Sequence, residues 1–246
     1  YLATGHYHGG NIAIQILSFK PIEDIDQLFL ERFQNAYSIR TTIHLADNSQ
    51  TNCYRLINAE GDGLPGLIVD WYNGTAVLQA YSRGMYEQRS SILQCLQAIY
   101  GENLKAVYDK SATVLNQPGL EPTNDYLFGS PSTNEVLEYG HRFRVNWEEG
   151  QKTGFFLDQR ENRSLLAKYV PGRRVLNTFC YSGGFSVYAL QAGAALVHSV
   201  DSSAKAIGWT HENVALNDRS HGEHTAFATD VFTYLKECDP DYDVIV

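Results

Sequence analysis

Residues 175–201 read VLNTFCYSGGFSVYALQAGAALVHSVD. An apolar start (Val175, Leu176) runs into a turn of small and polar residues, Cys180-Tyr181-Ser182-Gly183-Gly184. A helix-length stretch follows, and a second apolar run (Leu196, Val197, Val200) ends on a single carboxylate, Asp201. Strand, glycine turn, helix, strand and acid together form the device by which open α/β sheets hold an adenosine-containing cofactor. Gly183 and Gly184 permit backbone angles and a close ligand approach. The helix that opens there points its unpaired N–H groups into the same crevice. A carboxylate in the place of Asp201 can accept hydrogen bonds from both hydroxyls of a ribose, each worth about 1.5–3 kcal/mol where water is excluded.

The same rhythm runs on both sides of this stretch. A helix over residues 160–169 is ended by Pro171-Gly172. Then come strand 175–179, helix 184–192, strand 195–200, helix 203–217, strand 225–229, helix 231–237 and strand 243–246. Strict β/α alternation predicts a parallel, doubly wound sheet. Upstream, residues 12–19 read as a strand, and Ile25, Leu28, Phe29, Phe33 and Tyr37 recur at helical spacing. Two β-like pieces in residues 54–70 flank the turn-rich GDGLPG. An alternating strand over 75–82, a helix over 85–99 and a short strand over 105–109 follow. Residues 111–134 are turn-rich and expected to be irregular, and Tyr139, His141, Phe143 and Val145 alternate around a hairpin. This upstream region predicts a small α+β unit.

Composition narrows the class. The chain has 246 residues, 43% hydrophobic and 19% charged, as in ordinary globular proteins. No apolar run approaches the roughly 20 residues of a membrane span. Four scattered cysteines without a CxxC pair argue against a disulfide framework or zinc knuckle and fit a reducing, cytoplasmic setting. His6-Tyr7-His8 has no thiol or carboxylate spaced to complete a metal site, and His221-Gly222-Glu223-His224 reads as a solvated loop. A net charge of −9 is adverse for nucleic-acid binding, although Lys152, Arg160, Arg163, Lys168, Arg173 and Arg174 make a local basic stretch. The 16 tyrosines and 11 phenylalanines could stack bases, but most fall at core spacing. Both ends read as cut, the last within a strand, so a longer protein is expected.

Two adjacent glycines make a structural turn equally well, and Asp201 or the later Asp230 could each be a helix cap. Three such elements in order, each at the carboxyl end of a successive strand, point to a cofactor. The turn lacks the G-x-G-x-x-G spacing that seats a pyrophosphate. An acid closing the third strand suits an adenine amino group. The pattern therefore favours S-adenosylmethionine, which carries no phosphate, over a nicotinamide dinucleotide.

The strings EGQKTGFFLDQRENR (residues 149–163) and LNTFCYSGGFS (176–186) strongly resemble the large-subunit ribosomal RNA 5-methylcytosine methyltransferases. Those are S-adenosylmethionine-dependent enzymes with an N-terminal PUA domain. YRLINAEGDGLPGLIVD (54–70) is similar to the same family's central α+β domain. The resemblance implies an α/β, Rossmann-like class I methyltransferase sheet, C-terminally incomplete here, preceded by a small α+β domain and the tail of a PUA domain. It divides the chain into a PUA-like end at 1–22, a helical linker at 23–50, the central domain at 51–147 and the cofactor-binding part at 148–246.

Residue by residue, the resemblance places Asn177, Phe179, Tyr181 and Gly183 against the methionine and sulfonium part of the donor. Asp201 would hold the ribose and Asp230 the adenine, with Ser202 and Val231 counted among the cofactor-binding residues. Lys152, Thr153, Phe156, Asp158, Gln159 and Arg160 would form a flap, Arg160 serving the methionine carboxylate; one of Phe155 and Phe156 is expected in the core. The implied partner is large-subunit ribosomal RNA, with no membrane, and the reading admits a homodimer. Cytosine C5 is too weak a nucleophile for direct methylation, so such enzymes attack C6 with a cysteine thiolate and later remove the C5 proton. The family's DPP motif and its cysteine are expected beyond Val246, and Cys53, Cys95, Cys180 and Cys238 read as structural. The catalytic residues are thus unassigned here, and the chain alone is expected to be inactive. An exocyclic-amine RNA methyltransferase and a non-catalytic RNA-binding module are the competing readings.

Overall fold

The structure, a computed structural model, describes residues 1–7, 13–117, 119–217, 222–239 and 241–246. Two units emerge, Tyr1–Val136 with Val145–Gly154 and Leu137–Arg144 with Phe155–Val246.

In the first unit, β1 (Thr4–Tyr7) and β2 (Ile14–Ser18) pair antiparallel. Asp24 starts α1 (Ile25–Thr42) by accepting the N–H groups of Asp26 and Gln27 at 2.9 and 3.2 Å. Its Phe29, Phe33 and Ala36, spaced at 4 and 3 residues, are buried in the core. A five-stranded sheet follows in the order β3 (Cys53–Asn58), β4 (Leu67–Tyr72), β5 (Thr75–Ala80), β6 (Ala106–Asp109), β7 (Asp125–Gly129). Only β5 and β6 run parallel. Asn73 and Gly74 join β4 to β5 with φ of +43° and +103°, the two left-handed residues of a tight hairpin turn. Helices α2 (Arg83–Glu87) and α3 (Arg89–Tyr100) supply the crossover that a parallel pair requires.

One expectation is met and two change here. The strand expected over 75–82 is β5, all six of whose residues are buried, so its alternation does not mark an exposed face. The helix expected over 85–99 is two helices that meet at Gln88. The segment 111–134, expected to be irregular, contains β7, whose pairing with β6 is a tertiary choice that no local pattern announces.

Next come β8 (Glu135–Glu138) and β9 (His141–Arg144), joined at Tyr139-Gly140. The second unit continues with α4 (Arg160–Leu166), β10 (Arg174–Thr178), α5 (Gly184–Gln191), β11 (Leu196–Asp201), α6 (Ala204–Ala215), β12 (Glu223–Ala228), α7 (Val231–Glu237) and β13 (Val244–Ile245). The described strands form a wholly parallel sheet ordered β12-β11-β10-β13. The order reverses beside β10, and at such a switch point the crevice opens at the carboxyl ends of the strands. Glu223 and His224 belong to β12 rather than to a solvated loop, and the His224 ring bonds the Ser199 hydroxyl at 2.9 Å. His221 and His8 lie outside the described residues.

Among the described residues no helix is long and apolar enough to cross a membrane, and no three His, Cys, Asp or Glu side chains gather to hold a metal. His6 instead bonds Gln15 and Ser82, both at 2.9 Å.

Candidate cofactor site

The loop after β10 holds three left-handed residues in five: Phe179 (φ +52°), Tyr181 (+48°) and Gly183 (+75°). Two of them carry rings, which is uncommon away from functional sites. The loop is tied down on every side. The Cys180 N–H reaches the Val200 carbonyl at 3.0 Å, and Thr210 donates its hydroxyl to the Tyr181 carbonyl at 2.9 Å. Asn213 donates to the Ser182 carbonyl at 2.9 Å and accepts the Arg144 N–H at 2.7 Å, joining the loop to β9. Gly183 has no substitute: a Cβ there would stand 2.7 Å from the Thr210 methyl carbon.

Asp201, at the tip of β11, accepts the Tyr181 N–H on Oδ2 at 3.0 Å and the Ser203 N–H on Oδ1 at 2.9 Å. Each carboxylate oxygen has two acceptor directions, so about two remain. Ser202 beside it is exposed. Asp230, after β12, caps α7 through Oδ1, which accepts the Thr233 N–H at 2.9 Å. Its cap role and its availability coexist, since the side chain is exposed, while Val231 is buried. Phe179, Tyr181, Gly183, Asp201, Ser202, Asp230 and Val231 thus share the carboxyl ends of three adjacent strands.

Asn177 differs from these neighbours. It is buried and donates to Ser186 at 2.8 Å, in a chain that continues through Ser199 to His224. Phe156 is half-buried and meets Tyr181 edge-on at 5.2 Å, and Trp209 also meets Tyr181 edge-on, at 5.7 Å. Phe155 is the core member of the pair, buried against Phe143 at 4.9 Å. Asp158 is exposed, and Gln159 accepts from Asn162 at 2.8 Å. Lys152 and Thr153 belong to the first unit. There the Thr153 hydroxyl donates to buried Asp70 at 2.6 Å, which also takes a two-pronged ion pair from Arg55.

Sequence reading missed one part of this arrangement. Buried Glu138 of β8 takes both prongs of the Arg163 guanidinium at 2.8 and 2.9 Å, and the Tyr188 hydroxyl at 3.0 Å. Arg160 lies 3.5 Å from the same carboxylate. Arg163 also donates to the Phe156 carbonyl at 3.0 Å, so the pair sets the backbone that presents the Phe156 ring. The partners are 25 residues apart, and nothing local marks either of them.

Cys180 is buried in the loop, where desolvation pushes its thiol up to about 12. A thiol so reluctant to ionise is no nucleophile at neutral pH.

A glycine cradle with an acid at the next strand tip and a second acid at the third defines a nucleoside-cofactor site on a doubly wound sheet. Comparison with known proteins gives the class. Residues 55–246 match the S-adenosylmethionine-dependent methyltransferase family, and the chain belongs to that family. Its cofactor is S-adenosylmethionine, and the donor set fits: acceptor directions left on Asp201 for a ribose diol, an exposed Asp230 and aromatic rings suited to a sulfonium. Ribosomal RNA large subunit methyltransferase I of Escherichia coli is 37% identical over 254 aligned positions, which cover 100% of this chain. This chain spans 63% of that relative's length. A solved structure from Streptococcus mutans, described as a SAM-dependent methyltransferase, superposes with a TM-score of 0.85 at 27% identity over 99% of this chain and 64% of that one. A second, SMU.776, a methyltransferase complexed with SAH, gives 0.83 at 28% over 99% and 63%. The sheet is thus that of an α/β class I methyltransferase.

Proposed function

We propose that this chain is the donor-binding part of a methyltransferase that acts on large-subunit ribosomal RNA and forms 5-methylcytosine. The observation that carries the methyl-donor half is the convergence of Gly183, Asp201 and Asp230 at three adjacent strand tips. The RNA half is supported by the 37% identity to a relative named for that substrate and by the GQKTGFFLDQR string.

In this reading Asp201 holds the ribose, Asp230 takes the adenine amino group, and the edge-on set of Phe156, Tyr181 and Trp209 surrounds the sulfonium. The bound donor supplies an electrophilic methyl group. Tyr181 and Phe179, held in left-handed backbone, shape the wall it meets, and Arg160 serves its carboxylate. Attack at cytosine C6 needs a thiolate. Cys53, Cys95 and Cys180 are buried and Cys238 ends a helix, so the proposal assigns the attack to a cysteine outside these 246 residues. The same reading takes residues 1–22 as the end of a PUA-like domain, 23–50 as a linker, 51–147 as the central domain and 148–246 as the donor domain, in a cytoplasmic protein.

The test is methyl transfer by the full-length protein from labelled donor to large-subunit rRNA lacking its modifications, with mass-spectrometric mapping of the product. A methyl group on a cytosine C5 is the expected result. A methyl on an exocyclic amine would overturn the carbon chemistry, and no incorporation into RNA would overturn the substrate.

A further inference from the structure

Two cavities lie side by side in the first unit. The larger, about 350 Å3, opens beside Tyr37, the Asn73-Gly74 turn and Asn103. The smaller, about 310 Å3, opens between residues 131–134 and 145–148. Ser132 and Thr133 line both, so a partition two residues wide separates them. Both volumes fall at the small end of the roughly 300–1,000 Å3 typical of small-ligand sites.

Aromatic rings wall each cavity, with Trp71, Tyr100, Tyr54 and Trp147 largely buried and Tyr37 and Tyr126 half-exposed. In the larger, Trp71 and Tyr100 stack with centroids 3.7 Å apart, and the Tyr54 hydroxyl bonds that of Tyr100 at 3.0 Å. Tyr37 meets Tyr100 edge-on at 5.6 Å and donates to Asp47 at 2.9 Å. In the smaller, Trp147 donates to the Tyr126 hydroxyl at 3.0 Å, which donates to Glu148 at 2.7 Å. Hydrogen-bonding atoms stand beside these rings. Asn73 uses an amide N–H on the Glu135 carbonyl and keeps its own carbonyl, and Thr133 accepts the Glu135 N–H and keeps its O–H. Asn103 and Lys105 are exposed at the larger cavity, Lys105 with one N–H on the Glu102 carbonyl and two to spare.

Amide and hydroxyl groups against aromatic walls, with Lys105 set against the carboxylates Asp47 and Glu148 that Tyr37 and Tyr126 engage, suit a planar, uncharged ligand with hydrogen-bonding edges. Nucleobases have this chemistry, and single-stranded RNA is read by stacking and by edge contacts to splayed-out bases. Phosphate contacts, the usual source of affinity, are limited by one cation, the Asp47 and Glu148 carboxylates and a net charge of −9. We propose that the two cavities seat two consecutive unstacked bases of a single RNA strand, divided by Ser132 and Thr133. The inference rests on the RNA-substrate reading and adds to it a place where sequence could be read, apart from the methyl-donor site.

Fluorescence anisotropy with a labelled eight-nucleotide single-stranded RNA, and with a duplex of the same sequence, tests it on the full-length protein, whose rRNA methylation is followed alongside. Ser132→Trp fills the partition at an exposed position, and Asn103→Ala removes an edge contact with little risk to folding. Expected are preference for the single strand, at least tenfold weaker binding by Ser132→Trp, a smaller loss by Asn103→Ala, and unchanged melting and donor affinity. Trp71 and Trp147 each line a cavity, so RNA should also quench emission in a Trp209→Phe background. If rRNA is still methylated while both variants bind single strands as the parent does, the cavities are not base sites and the proposed function stands. A preference for duplex overturns the splayed-base assignment alone. If RNA is neither bound nor methylated, both proposals fall.

Discussion

The carboxylate of Asp201 accepts the backbone N–H of Tyr181 at 3.0 Å, so the acid at the tip of β11 also fixes the loop at the tip of β10. One side chain thereby holds the left-handed loop in shape and, in the proposed reading, offers its remaining acceptor directions to a ribose. Asp201→Ala removes both, and Asp201→Asn keeps one acceptor. Donor affinity measured by calorimetry should fall about 10- to 150-fold in Asp201→Ala, the equivalent of about 1.5–3 kcal/mol. The loss should be smaller in Asp201→Asn. Parental affinity in Asp201→Ala would remove the ribose assignment.

Gly183 makes a second, separable prediction. Its φ of +75° costs an alanine about 1–2 kcal/mol, and the added Cβ would also press on the Thr210 methyl carbon at 2.7 Å. Thr210→Ser removes that methyl while keeping the hydroxyl that bonds the Tyr181 carbonyl. In a double-mutant cycle followed by urea unfolding, Thr210→Ser should relieve part of the Gly183→Ala destabilisation and leave the backbone part. Strict additivity would mean that the contact is not what excludes a side chain there.

Much of this was legible before any coordinates. Buried parallel strands read as apolar runs, which is why β10 and β11 stand out, and a glycine pair closing such a run marks the turn. Asp201 stands out as an acid ending an apolar run, and Asp230 as an acid between a strand-like stretch, residues 225–229, and the helix that follows. What escaped depends on partners far away in sequence. β7 exists through β6, and its residues sit among prolines, glycines and asparagines that argue locally for a loop. Glu138 sits in an alternating hairpin like any surface acid until Arg163, 25 residues on, is folded against it. Asn177 has the residue type of a ligand contact, yet its amide N–H goes to Ser186, which only packing decides.

Breaking the Glu138–Arg163 pair should be costly because both side chains are almost fully buried. Glu138→Ala leaves an uncompensated guanidinium inside the second unit, a defect worth about 3–5 kcal/mol. Chemical denaturation should show that loss, and donor affinity should weaken as the Phe156 carbonyl loses a well-placed Arg163. Replacing both residues together by methionine should recover much of the stability, since a buried pair often has little advantage over apolar packing. A Glu138→Ala variant within about 1 kcal/mol of the parent would show that the pair is not holding this region.

Lys110 predicts a pH dependence with a definite sign. Its side chain is buried, with its ammonium on the Gly150 carbonyl, and desolvation lowers its pKa from 10.5 to about 8. Between these values the unfolded chain binds a proton that the folded chain has released. Stability therefore rises with pH across that window, at up to about 1.4 kcal/mol per unit and about 3 kcal/mol in all. Tyr54, Tyr72 and Tyr100 act oppositely, because burial raises their pKa values and their contribution is lost above about pH 10. Lys110→Met retains those tyrosines, so the difference in unfolding free energy between parent and variant isolates the lysine. That difference should be flat below about pH 8, where both states of the parent carry the charge, and should then climb in the parent's favour up to about 10.5. A difference that stays flat through this window, or falls, would mean that Lys110 remains solvated despite its buried position.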